Sequence, residues 1–234
     1  MVKKTIAVLI ATTILFSLAG CGSKKDDKNE EDTAKKVELS IDDQEQFKDL
    51  KGDWIRDFTY DDFNKETNEL MGKVEETTKS LGLEYQKDEK VQDINGNTAN
   101  VKSIYLDNKN PENNRLESMQ FQSQFIGKAQ EYGRIQMKLS LKFDGEGAIK
   151  DNNFNLGDTA IAKYAEIMTK VPNRDYKDIN NKIMDIIKGE KSEGVVKDSI
   201  NGLEEEFAVS KDYIVYTLST KIYEFEKAPS EGIK

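Results

Sequence analysis

From Ile135 to Phe143 apolar and polar residues alternate without a miss, Ile135, Met137, Leu139, Leu141 and Phe143 against Gln136, Lys138, Ser140 and Lys142. Successive side chains of a strand point to opposite faces, so this stretch reads as a strand with one face in a core and the other in water. Half-buried strands of that kind belong to antiparallel sheets; parallel strands are covered on both faces and read as continuous apolar runs. The rest of the chain must therefore supply neighbouring strands and something to cover one face.

The neighbours are legible. Val91 to Ile94 precedes Asn95-Gly96, a type I′ hairpin signal, and Val101 to Leu106 is the return strand. Asp107 to Asn114 reads as a polar loop, and Arg115 to Phe125 as a strand with Met119, Phe121 and Phe125 on one face. Later come Val195 to Ile200, a second turn at Asn201-Gly202, Leu203 to Val209, and Tyr213 to Phe225 as one long strand, with Ile214, Tyr216, Leu218 and Ile222 on one face. The cover is helical. Ser40, with Asp43, is placed to cap a short helix carrying Ile41, Phe47 and Leu50; Trp54, Ile55 and Phe58 should close the edge of the core. Thr59 caps a longer helix with the stripe Phe63, Leu70, Val74 and Leu81, ended by Gly82. Asp158 is expected to cap a helix bearing Ile161, Tyr164, Ala165, Met168 and Val171, stopped by Pro172, and Asp175 one bearing Ile179, Ile183, Ile186 and Ile187, ended by Gly189.

The pattern predicts an α+β fold with helices packed on an antiparallel meander, over residues 37–234. Two parts echo one another. Val91-Gln92-Asp93-Ile94-Asn95-Gly96 resembles Val196-Lys197-Asp198-Ser199-Ile200-Asn201-Gly202, and Phe58-Thr59-Tyr60 parallels Phe154-Asn155-Leu156. The domain is thus either one meander with its helices or two tandem helix-plus-meander units over 40–145 and 146–234. The helix-then-meander order resembles cystatin-like and beta-lactamase-inhibitor-like domains; no motif is shared, so the resemblance implies architecture alone.

The first 36 residues are of a different kind. Lys3 and Lys4 precede an apolar run from Thr5 to Ala19, too short for the ~20 helical residues that a bilayer takes and suited to a secretory signal. It ends in Leu18-Ala19-Gly20-Cys21, which resembles the lipobox of bacterial lipoproteins. That resemblance implies cleavage after Gly20 (residues 1–20 being the signal), a diacylglyceryl group on Cys21 and a palmitate-type acyl anchor, and a chain held at the extracytoplasmic face of the cell membrane. Each buried methylene adds about 0.8 kcal/mol of membrane affinity, so two acyl chains hold stably. Residues 21–36, with Gly22 to Lys36 almost all charge, should form a disordered tether spanning roughly 20 Å on average.

Composition narrows the function. The net charge is −9, and removing residues 1–20, with two Lys and no acid, makes it −11. Nucleic acid is an unsuitable partner, because its binding depends on Lys and Arg neutralising phosphates. There is no His, and Cys21 is the only thiol, which excludes imidazole general-base chemistry, Ser-His-Asp triads and thiolate metal sites or nucleophiles. Lys far outnumbers Arg and Asn is abundant, a bias that fits an AT-rich, Gram-positive source.

The remaining constellations are weak as chemistry. Asp151-Asn152-Asn153-Phe154-Asn155-Leu156-Gly157 resembles the start of an EF-hand loop, but Leu156 stands where the loop needs Gly and Ala162 where it needs a bidentate Glu. Glu204-Glu205-Glu206 alternates faces and reads as a solvated strand edge. Asp61-Asp62 complements a helix N-terminus, and no second carboxylate pairs with it for glycoside hydrolysis. Tyr213, Tyr216, Tyr223 and Phe225 read as strand packing rather than a recognition surface. No catalytic, metal or cofactor-binding residues are assigned. The sequence favours a non-catalytic surface lipoprotein, anchored by lipid on Cys21, that binds a protein or a cell-envelope component through apolar and aromatic groups on its sheet. A solute-binding subunit of a transporter and a carboxylate-based hydrolase are the alternatives.

Overall fold

The computed structural model describes residues 47–94 and 96–225. The chain divides into two units, Met1–Lys36 and Val37–Lys234; the first, where the lipobox and the tether are expected, lies outside the described residues, as do Ser40 to Gln46 of the expected first helix, Asn95 and residues 226–234, while Phe47 to Asp49 form a turn rather than a helix.

Among the described residues the α-helices are α1 (Tyr60–Ser80), α2 (Gly145–Asp151), α3 (Ala160–Thr169) and α4 (Lys177–Lys188). The strands are β1 (Gln86–Ile94), β2 (Asn97–Asp107), β3 (Arg115–Ile126), β4 (Tyr132–Lys142), β5 (Glu193–Ile200), β6 (Leu203–Ser210), β7 (Tyr213–Ser219) and β8 (Tyr223–Glu224). All eight join one sheet in the order β1-β2-β3-β4-β7-β6-β5, with β8 also on β4, and every pairing is antiparallel. The fold is α+β, and the helix-then-meander order occurs twice along it. The two meanders meet at β4 and β7, so both share one sheet and one main core.

Local chemistry explains the elements. Thr59 Oγ1 accepts from the Asp62 N–H (3.1 Å), and α1 ends before Gly82, at φ 69°. Asn201 (φ 51°) and Gly202 (φ 84°) both take the left-handed conformation that a type I′ turn needs. Asp175 Oδ1 accepts from the Lys177 N–H (2.8 Å) at the start of α4. The alternation of β4 buries Ile135, Met137, Leu139 and Leu141 completely. Across the register Met119 faces Leu139, Phe121 faces Met137, and Leu139 faces Tyr216, which builds the core layer under the helices. Trp54 seals one side of it: its Nε1–H donates to the Met168 carbonyl (2.8 Å), and the Tyr223 hydroxyl donates to the Trp54 carbonyl (2.8 Å).

Three further expectations are corrected, and one element joins those expected. The cap of α3 is Thr159; Asp158 closes a preceding 3-10 turn, and the helix stops at Thr169 with Lys170 left-handed (φ 57°), so Val171 lies beyond it. α2 lies in a stretch without a helical stripe; it is short and Gly-rich and forms because Asp144 Oδ1 accepts from the Gly147 N–H (2.9 Å). The expected strand Tyr213–Phe225 is broken at Thr220. There the Thr220 side chain takes the place of a backbone acceptor, with the Ile135 N–H donating to its Oγ1 (3.0 Å), and the chain re-pairs to β4 as β8. Finally, β6 lies between β5 and β7 and is an inner strand, and Glu205 belongs to the core rather than to a solvated edge.

Candidate functional site

The two faces of the sheet differ. All helices share one cluster of buried residues with a single face, that of Leu139, Phe121 and Tyr216. Over the opposite face no helix packs among the described residues. Its side chains form rows across the strands: Gln122, Gln136, Ser219 and Glu204 abreast in one, Gln120, Lys138, Thr217 and Glu206 in the next. Apart from the buried Ser219 these are half-buried. Gln122 Nε2 donates to Gln136 Oε1 (3.0 Å), and the Ser140 hydroxyl donates to Glu117 Oε2 (2.7 Å) from a bulge in β3. The central rows are thus amides, hydroxyls and alternating charges, and the row beyond them, Ser140, Val215, Ala208 and the exposed Val195, is mostly apolar. At the β2–β3 end of this face Ala99, Val101 and Ile126 form a small buried apolar cluster, with the partly buried Ile94 and Tyr132 packed against it.

The aromatic groups of the last strands do not occupy this face. Tyr216, Tyr223 and Phe225 are buried in the main core; Tyr213 is half-buried and stands on the polar face in register with Lys142. The sheet therefore offers polar groups at its centre, where apolar ones were expected.

Of the three glutamates, Glu204 and Glu206 lie on the polar face. Glu205 points into the core, 2% exposed. Arg174, in the loop before α4, pairs with it bidentately (Nη1–Oε1 2.5 Å, Nη2–Oε2 2.8 Å), and the Tyr216 hydroxyl donates to Oε1 (2.7 Å). The guanidinium also stacks 4.9 Å from the Tyr176 ring centre. Burial disfavours the charge on Arg174, but the Glu205 carboxylate more than offsets this and holds it above its ordinary value. Burial, with Glu205 next, pushes the Tyr216 hydroxyl well up. Every polar atom of the Glu205 carboxylate is thus satisfied inside, so this is a structural ion pair. Arg174 carried no signal in the sequence, because a lone Arg between helices has no periodicity to betray its partner.

The EF-hand-like segment lines a hollow at one end of the sheet. A cavity of about 400 Å³ is bounded by Asn113, Arg115, Asp144, Asp151, Asn153 and Phe154, among others. A second, of about 410 Å³, shares Asn114, Arg115, Asp158 and Thr159 with it and continues past Leu81, Leu83 and Leu116. Asp151 closes α2 and Asn152 is left-handed (φ 49°) with its Oδ1 accepting from Lys188 Nζ (3.2 Å), so the segment is not wound as a calcium loop. Among the described residues no group of three or more His, Cys, Asp or Glu could hold a metal ion. Asp61 and Asp62 sit in the first turn of α1, where Asp62 Oδ2 accepts from the Thr59 hydroxyl (2.8 Å). No helix among the described residues is long and apolar enough to cross a membrane.

Compared with known proteins, the chain matches no family model, no curated protein and no solved structure.

Proposed function

We propose that this chain is a lipoprotein held by acylated Cys21 at the extracytoplasmic face of the cell membrane, that it acts by binding without catalysis, and that its partner, a protein or another envelope component, docks on the uncovered face of the sheet. The one-sided sheet carries the reading. Seven strands side by side at ~4.8 Å, averaging roughly 30 Å in length, present on the order of 1,000 Å², comparable to what one partner contributes to a standard interface. Rows of glutamine, serine, threonine and paired charges suit a polar, hydrogen-bonded contact, and the mixture of signs favours a particular register over general stickiness. Leu18 to Cys21 behind Lys3 and Lys4 support the anchor. One sheet over one main core lacks the two lobes that a transporter's solute-binding subunit closes around its ligand.

Photo-crosslinking in intact cells tests the reading. A crosslinker at Lys138 or Thr217, on the polar face, should give a discrete adduct; one at Lys182, on the exposed side of α4, should not. Adducts from the helix side alone would overturn the choice of face. Turnover of a glycan or ester by the purified chain, abolished by one Asp or Glu substitution, would overturn the binding role in favour of a hydrolase.

A further inference from the structure

We infer that the paired hollows at the end of the sheet are a binding site for a short neutral oligosaccharide carrying acetamido groups, a role independent of the partner on the polar face. The walls are held in place by their own contacts. On one side Asn114 is left-handed (φ 60°), its N–H donates to the Lys142 carbonyl (2.7 Å), and its Oδ1 accepts from the Asp144 N–H (3.1 Å). On the other the Leu156 N–H donates to Asn180 Oδ1 (2.9 Å), Asn180 Nδ2 donates to Asn155 Oδ1 (3.1 Å), and the Thr159 hydroxyl donates to the Leu156 carbonyl (2.7 Å).

Four of the groups that line the space are by contrast uncommitted. Arg115, Asp151, Asn153 and Asp158 line it, and among the described residues their side chains make no hydrogen bond or ion pair. Planar amides, carboxylates and guanidinium present paired donors and acceptors, which match the adjacent hydroxyls of a sugar as they match other bidentate partners. Charge bears on the choice. Asp144, Asp151 and Asp158 would repel an anion from the first hollow, Arg115 and Lys163 balance Glu112 and Asp158 in the second so that no net charge there draws a cation, and a neutral polyol spanning both meets neither penalty. The second hollow adds Leu81, Leu83, Leu116 and Ala160, and the first the half-buried Phe154. These are apolar contacts for the methyl of an acetamido group and the C–H face of a ring. Few polar groups converging beside an apolar wall is how ligand sites are generally made. Two hollows of this size sharing a wall call for an elongated ligand rather than a single ring.

The test is titration of the full-length chain in detergent with chitotetraose, followed by amide chemical-shift changes and calorimetry, with cellotetraose and tetralysine as comparison probes. Chitotetraose should bind, with shifts at Arg115 and at 151–159. Cellotetraose, without the acetamido groups, should bind more weakly. Arg115→Ala and Asp158→Ala should each weaken chitotetraose about tenfold, equal to about 1.4 kcal/mol, with unchanged melts because both side chains are exposed. Lys138→Ala, on the polar face, should leave the affinity as it is. Absence of binding at millimolar chitotetraose, shifts elsewhere on the surface, or preference for tetralysine would each overturn the assignment, and none of these would bear on the polar face.

Discussion

Removing the Arg174 side chain should be the most damaging single change outside the apolar core. Glu205 is 2% exposed and its carboxylate relies on three donors, two from Arg174 and one from Tyr216. Arg174→Met keeps much of the apolar stem but leaves a buried carboxylate with one donor. Breaking a buried pair in this way costs about 3–5 kcal/mol. At roughly 2–4 °C per kcal/mol for a domain of this size, melting should fall by about 6–20 °C. Arg174→Met/Glu205→Gln removes the stranded charge while keeping an acceptor for the Tyr216 hydroxyl, and its main residual cost is an amide without partners, about 1–3 kcal/mol. The double variant should therefore be more stable than Arg174→Met alone. Urea unfolding followed by Trp54 fluorescence and far-UV circular dichroism gives both numbers. Arg174→Met within about 1 kcal/mol of the wild type, or a double variant as unstable as the two single changes added, would refute the view that the pair is desolvated and mutually dependent.

Leu139→Ala should cost about 2–5 kcal/mol in the same assay, because Leu139 is fully buried, and the adjacent Lys138→Ala well under 1 kcal/mol; equal effects would mean the strand is faced the wrong way. Burial raises the hydroxyl pKa of Tyr164, Tyr176, Tyr216 and Tyr223. The stability this represents is fully present below the unfolded value near 10 and is lost as pH rises toward the folded values. Tyrosinate absorbance from these four should accordingly appear together with unfolding, not as an independent titration near pH 10. Asn201→Gly keeps the left-handed turn but loses the side-chain bonds to the Asp53 N–H (2.9 Å) and the Thr169 carbonyl (3.1 Å); it should cost about 1–3 kcal/mol in urea melts. Cys21→Ala should block acylation and leave unprocessed or shed protein, and retention of the cleaved variant on washed membranes would exclude the lipid anchor.

Alternation and helical stripes located seven strands and three of the four helices because each buries one face, and burial on one face writes a period into the sequence. Where burial was incomplete or not periodic, the reading failed. The first half of β1, Gln86 to Lys90, is an edge strand of mostly exposed charged residues paired to Tyr105 through Val101; it has no apolar period, so only its second half, from Val91, carries a strand signal. α2 buries only Gly145 and Ala148, too few residues to make a stripe. The break at Thr220 depends on a side chain replacing a backbone acceptor on β4, a contact 85 residues away in sequence. No local pattern encodes that.

The same physics separates what could be foreseen of the binding surfaces from what could not. Glu205 shares a tripeptide with two half-buried neighbours on the polar face, and strand periodicity alone put it on the opposite face; its burial follows only once β6 is flanked by β5 and β7, because an inner strand has no edge to solvate. With Glu205 and Tyr216 facing inward on neighbouring inner strands, the core needed a cation, and the loop before α4 supplies Arg174. Tyr216, Tyr223 and Phe225 are buried on the helix-covered side, and that leaves the centre of the other face to Gln120, Gln122, Gln136 and Lys138. A surface composed this way gains little from expelling water around apolar groups. Whatever it binds must be matched donor to acceptor and charge to charge, so affinity there should fall with mispaired polar groups more than with lost area, and salt should slow association more than it speeds release.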